Sequence, residues 1–321
     1  MKLILDIILL LLSFFIIVKS SDILVDAASS LALKLKVSKI FISLTIVAFG
    51  TCAPEIAISF QSVSSGDGAM AFANVIGSCI VNVLLIIGLA SLIHPIKIKH
   101  STVKRELPIL SIITSIFVVL MIDSAFNSLT RDTFSRADAI ILILLFVLFM
   151  VYLVHMLVKR NTKSANDEIK IKYSAIISLI LLIITIIAII FSSDLIVESA
   201  KNIAYTLNIS EKIITMFVIV IGTSLPEMIM TITSAKKGEF DMAIGNIIGT
   251  NIFNICIVLG VPIFIYGDIS LTGFGIVDML MLFLSSFLLF IFARSEKLIT
   301  KKEGFFMLLT FLAYYVYLIF A

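Results

Sequence analysis

Apolar runs of membrane-spanning length recur along the whole chain, separated by short polar patches. Ten runs stand out, at about 3–32, 38–64, 70–93, 105–123, 136–158, 173–204, 211–235, 241–266, 272–293 and 303–320. Each is long enough for a helix to cross a bilayer. The pattern predicts an all-α polytopic membrane protein with ten transmembrane helices. The first and sixth runs are long, so a tilt or bend is expected there. The longest polar stretch, "KRNTKSANDEIKIK" at 159–172, divides the chain into five-span halves, 1–158 and 173–321.

Composition agrees: 60% of the 321 residues are hydrophobic and only 14% charged, far from a soluble globular domain. Basic residues set the orientation. If the 159–172 linker is cytoplasmic, 18 of the 24 Lys and Arg fall on that side, and both termini lie outside. The first run has the look of a signal peptide. A matching segment, "LIITIIAIIFSSDLIVES", recurs in mid-chain, so the first run is expected to be a retained helix. Cys52, Cys79 and Cys256 all lie in apolar runs without metal-type spacing, which argues against disulfides. His94, His100 and His155 sit near span ends and are expected to be solvated. The sequon at 208–210 is ascribed to chance.

Sliding the chain on itself by 172 residues exposes an internal repeat. Asp22 meets Asp194, Ser38 meets Ser210, Glu55 meets Glu227 and Asn82 meets Asn254, without a gap. Between 48–82 and 220–254, 13 of 35 positions are identical. Each half holds five spans, an odd number, so the halves must cross the membrane in opposite senses. Such inverted repeats characterise secondary transporters, with the site near the midplane between them.

The matched segments read "VAFGTCAPEIAISF" and "VIGTSLPEMIMTI". Pro54 and Pro226 are expected to break helices 2 and 7, and Gly50 and Gly222 to loosen them, freeing carbonyls that could face a cavity. Glu55 and Glu227 follow directly. A carboxylate at midplane depth is costly and marks function by default. Thr51 and Thr223 lie four residues earlier, on the same face if the turn is helical. Carboxylates, hydroxyls and carbonyls form an oxygen-only set suited to Ca²⁺. Asn74, Ser78 and Asn82, and in the second half Asn246, Thr250 and Asn254, make polar stripes that suit a weakly held monovalent ion. Packing alone could explain one such stripe, and a structural or proton-relay pair could explain the glutamates. Asp22, Asp26, Asp194 and Glu198 are expected at helix ends or in a vestibule.

The motifs "GTCAPE…ANVIGSCIVN" and "GTSLPE…GNIIGTNIFN" resemble the two α-repeats of the sodium/calcium exchanger family, within the calcium/cation antiporter superfamily. The likeness spans essentially the whole chain. It implies Na⁺/Ca²⁺ antiport by alternating access, in a prokaryotic plasma membrane, with no cofactor and no nucleic acid. It also implies Ca²⁺ on Glu55, Glu227, Thr51 and Thr223, and Na⁺ on Glu55, Glu227, Ser78, Thr250, Ser224 and the position of Cys52. Asn82 and Asn254, with Asn74 and Asn246, would line the site. Helices 1 and 6 would slide over the remaining eight. Three departures matter. Cys52 replaces a serine, and a thiol is a poor ligand for Na⁺. Ala73 replaces a glycine, and Asn254 stands where potassium-dependent members carry aspartate. Rival readings are an H⁺/Ca²⁺ exchanger, a K⁺-dependent exchanger, a passive channel and an intramembrane acid/base enzyme. The oligomeric state is left open.

Overall fold

The computed structural model describes residues 2–126, 133–159, 172–206, 220–270 and 275–320. The long helices are α1 Lys2–Lys34, α2 Lys39–Thr51, α3 Ala53–Ser64, α4 Gly68–Ile93, α5 Glu106–Phe126, α6 Arg136–Lys159 and α7 Ala175–Thr206. The short turn α8 Val220–Thr223 precedes α9 Leu225–Lys236, α10 Phe240–Tyr266, α11 Ile276–Ser295 and α12 Lys301–Phe320. Among the described residues, eight helices are long and apolar enough to span a membrane, and the bent pair α2–α3 makes a ninth. The remaining expected span, about 211–235, begins outside the described residues. Its described part is α8 and α9.

The all-α expectation needs a small correction. Two antiparallel ladders of two residues each pair β1 Ile96–Lys97 with β4 Leu298–Ile299, and β2 Thr133–Phe134 with β3 Ile269–Ser270. Each ladder ties a connection of the first half to one of the second.

Burial ranks the helices. In α10 and α4, 83% and 72% of the most apolar stretch is inside the protein, against 17% in α6 and 22% in α1. The hydrophobic interior divides in two. One large cluster joins α2 to α6 with α9 to α12. A smaller one gathers around α1 and α7, from Ile17, Leu24, Ala28, Leu182 and Ile189, and touches the rest through Ile42, Val47, Met230 and Met242. The α1 and α7 helices therefore form a separate packing unit, whose outer faces expose Leu5, Leu11, Ile187 and Phe191.

The turns between α3 and α4 and between α9 and α10 match. Gly66 and Gly238, 172 residues apart, have φ of 82° and 73°, a conformation that glycine adopts without strain. The second turn is tied to the first half by ion pairs. Lys237 meets Asp26 at 2.7 Å, Glu239 meets Lys39 at 2.7 Å, and Asp241 meets Lys99 at 2.6 Å. Asp26 also takes Lys172 at 2.8 Å, and Asp22 lies 3.7 Å from Lys237. Their repeat partners Asp194 and Glu198 are exposed on α7.

Candidate ion-binding site

The first half of the site begins at the break between α2 and α3. Cys52 has φ −73° and ψ 0°, and the two helices meet at a 49° bend. Pro54 takes an opening position of α3, where a missing N–H removes no helical hydrogen bond. Two expectations change here. The Gly50 carbonyl is not set free, because a backbone N–H at the cap donates to it. Gly50 itself is helical, and its lack of a side chain makes room for α7. A Cβ at Gly50 would stand 2.5 Å from Ile186, and one at Gly222 2.3 Å from Val197. The second half follows the same plan, with Ser224 at the break and Pro226 opening α9.

Glu55 and Glu227 therefore sit in the first turn of a helix, where the helix dipole favours an anion. Both are completely buried, and they approach closely enough to repel each other. Neither has a hydrogen-bond partner on either carboxylate oxygen. The break falls between Thr51 and Glu55. Thr51 lies beside Glu227, outside hydrogen-bond geometry, and its hydroxyl donates to the Ala48 carbonyl at 3.3 Å. Thr223 is half-buried.

Helices α4 and α10 complete the walls. The Asn74 amide donates to the Glu55 carbonyl at 3.2 Å and to the Ser59 hydroxyl at 3.3 Å. The Asn246 amide donates to the Thr231 hydroxyl at 3.2 Å. These are equivalent braces, since Ser59 and Thr231 are also 172 residues apart. Wide π-helical turns at Val81–Ile87 and Asn254–Leu259 occur at the asparagines that follow. Such turns recur at functional sites.

Among the described residues, sixteen buried side-chain polar atoms lack a hydrogen-bond partner, and eleven belong to Glu55, Ser78, Asn82, Ser224, Glu227, Asn246, Thr250 and Asn254. Ten of the eleven are oxygens. Orphaned polar atoms are costly and rare in folded interiors, so their concentration at one place is functional information. The described residues hold no group of three or more His, Cys, Asp or Glu arranged for a metal. A cation here would take two carboxylates and complete its shell from hydroxyl and amide oxygens.

Cys52 is near enough to both carboxylates to feel their charge, and its thiol points to the Thr250 carbonyl at 3.9 Å. All three cysteines are free and buried, and the three histidines are exposed. One residue was missed. Asn251 is buried; its Oδ1 accepts from the Asn82 amide at 2.9 Å, and its own amide donates to the Cys79 carbonyl at 3.3 Å. It fixes Asn82 with Oδ1 unpartnered. The repeat register aligns Asn251 with Cys79, a mismatch, which hid it.

The family model described as sodium/calcium exchanger protein matches residues 5–155 and 177–320. The chain belongs to the sodium/calcium exchanger family. Within it, CaxA of Alkalimonas amylolytica is 35% identical over 98% of both chains. The sodium/calcium exchanger MaX1 of Methanosarcina acetivorans is 29% identical over 97% of both. The sodium-calcium exchanger NCX_Mj, soaked with 10 mM Na⁺ and 10 mM Sr²⁺, superposes with a TM-score of 0.83 at 29% identity over 99% of both chains. Membership in this exchanger family supports cation/Ca²⁺ antiport across a membrane.

Proposed function

We propose that this protein exchanges Na⁺ for Ca²⁺ by alternating access, with both ions competing for one site between two inverted five-helix halves. The observation that carries the reading is a set of ten unpartnered buried oxygens, four on the Glu55 and Glu227 carboxylates and six on Ser78, Asn82, Ser224, Asn246, Thr250 and Asn254. Ca²⁺ would take Glu55, Glu227, Thr51 and Thr223. Na⁺ would take the glutamates with Ser78, Thr250, Ser224 and the region of Cys52, while Asn82, Asn254, Asn74 and Asn246 line the site. A dianionic site matches one Ca²⁺ or several Na⁺, and cannot hold both full loads. Left empty, it holds two uncompensated charges in a medium of low dielectric constant, which opposes movement without cargo and limits leak.

A contact between repeat partners supports a two-fold relation between the halves. Cys79 and Asn251 are 172 residues apart and touch, the thiol directed to the Asn251 carbonyl at 3.9 Å. A residue that contacts its own repeat partner lies on the pseudo-two-fold axis. The separate apolar cluster of α1 and α7 supports these two helices as the moving unit. The halves are 1–158 and 173–321, joined by a cytoplasmic linker at 159–172, with both termini outside.

The test is radioactive Ca²⁺ uptake into proteoliposomes loaded with Na⁺, with K⁺, or with a pH gradient alone. Uptake that requires the outward Na⁺ gradient and no K⁺ supports the reading. Proton coupling is the second reading, because facing buried carboxylates can share a proton; uptake on the pH gradient alone would establish it. The neutral Asn254 weighs against K⁺ dependence.

Two smaller results are expected. Cys52→Ser puts a hard hydroxyl where a thiol stands and should lower the Na⁺ concentration giving half-maximal exchange. Unchanged Na⁺ dependence removes Cys52 from the sodium path. Asn251→Ala leaves the Asn82 amide unpartnered, at a cost of about 1–3 kcal/mol. Apparent Ca²⁺ affinity should fall roughly tenfold, as read from the Ca²⁺ dependence of uptake.

A further inference from the structure

Away from the central site, a cavity of about 660 Å³ lies among the start of α2, the start of α5, the end of α6 and the start of α10. These ends carry the basic connections assigned to the cytoplasmic side, so the cavity lies at the level of the lipid head groups there. Its lining holds Lys99, Arg105, Glu106, Tyr152, His155 and Asp241. Glu106 is the informative member. It is 2% exposed; Oε1 accepts from the Tyr152 hydroxyl, and Oε2 has no hydrogen-bond partner. A buried, unpartnered carboxylate oxygen on a residue that lines a cavity calls for a donor or a positive charge.

The other charges narrow the choice. Asp241 is held by Lys99 at 2.6 Å. Arg105 is exposed and, among the described residues, has no carboxylate at ion-pair distance, and His155, also exposed, lines the same cavity. An inorganic anion alone would meet the Glu106 carboxylate. A divalent cation alone would meet the nearby Arg105 guanidinium. A ligand with an ammonium a few bonds from a phosphate satisfies both ends. Its phosphate suits the guanidinium, and its ammonium suits Oε2. Met156 and Leu157 add an apolar wall, which suits a molecule that continues into the bilayer.

We propose that this cavity binds the head group of an aminophospholipid, with the primary ammonium on Glu106 and the phosphate on Arg105 and His155. The purified full-length protein in detergent would be titrated with dioleoyl phosphatidylethanolamine, phosphatidylcholine or phosphatidylglycerol and observed by native mass spectrometry. Phosphatidylcholine keeps the phosphate and positive charge but has no N–H to donate; phosphatidylglycerol has no amine. The expected result is half-saturation by phosphatidylethanolamine at a concentration at least tenfold below either. Glu106→Gln should abolish that preference, and the exposed Arg105→Ala should weaken binding of phosphatidylethanolamine in a protein that folds normally. Equal binding of the three lipids overturns the proposal. So does a preference for phosphatidylglycerol, which would reduce the site to an ordinary basic surface. Soluble glycerophosphoethanolamine that binds as tightly as the lipid would overturn the bilayer as its source.

Discussion

Glu55→Gln and Glu227→Gln are each expected to reduce Na⁺-driven Ca²⁺ uptake to the level of protein-free liposomes, a loss of at least roughly a hundredfold. The physical reason is charge in a dry place. Both carboxylates are completely buried and none of their oxygens has a protein hydrogen-bond partner, so no neighbouring donor competes with a cation for them. Unit charges in such surroundings interact several-fold more strongly than in water. A glutamine halves the site's charge. It also brings an NH₂ group, a donor that would bond to unpartnered oxygens of the site and would repel the ion. Asp194→Asn supplies the contrast. It is a repeat-matched carboxylate, yet it is exposed on α7, and exchange should stay within about twofold of the parent. Full uptake in either glutamine variant would remove the site from this position.

The second large effect is expected from a methyl group. Gly249 lies on α10 where that helix crosses α2. A Cβ there would stand 2.7 Å from the Ala48 Cβ and 2.9 Å from both the Leu44 Cα and its carbonyl oxygen. Two of these three neighbours are backbone, so neither can rotate away. Overpacking of this kind costs about 1–3 kcal/mol, and it acts on the segment that leads straight to Thr51 and Cys52. Gly249→Ala should lower the thermal unfolding midpoint and reduce exchange more than tenfold. Gly260→Ala is the control: its nearest neighbours would be 3.4 Å away, an ordinary contact, and both stability and uptake should stay close to the parent. Equal behaviour of the two variants would mean that the α2–α10 contact does not position the site.

The parts of this structure that were legible in the sequence share a cause. Apolar length marks a helix in a bilayer whatever its neighbours, and a carboxylate or asparagine in such a run is conspicuous. Glu55, Glu227, Asn82 and Asn254 could therefore be found from pattern alone, and the 172-residue register linked them. What stayed hidden depends on distance between segments. Gly50 and Gly222 looked like backbone hinges, and they are gaps for α7 side chains. The approach of Thr51 to Glu227, in the other half of the chain, could not be read from spacing within one segment. Glu106 lies near the start of the run at about 105–123, where nothing in the sequence marks it out, and only the approach of Tyr152 reveals it as buried. Asn251 escaped because repeat matching rewards identity, and its function rests on difference. The ten-span count rests in part on 211–219, outside the described residues.

On the two-fold reading of the halves, that difference breaks an equality. If the two halves were identical separate chains paired about a two-fold axis, the position now occupied by Cys79 and Asn251 would meet a copy of itself. Two copies of one side chain must play the same part. Joining the halves in a single polypeptide lifts that constraint. One side can keep a thiol and lend its backbone carbonyl, while the other supplies an amide that holds Asn82. On the two-fold reading proposed above, two first halves paired together would bring thiol against thiol, and two second halves amide against amide.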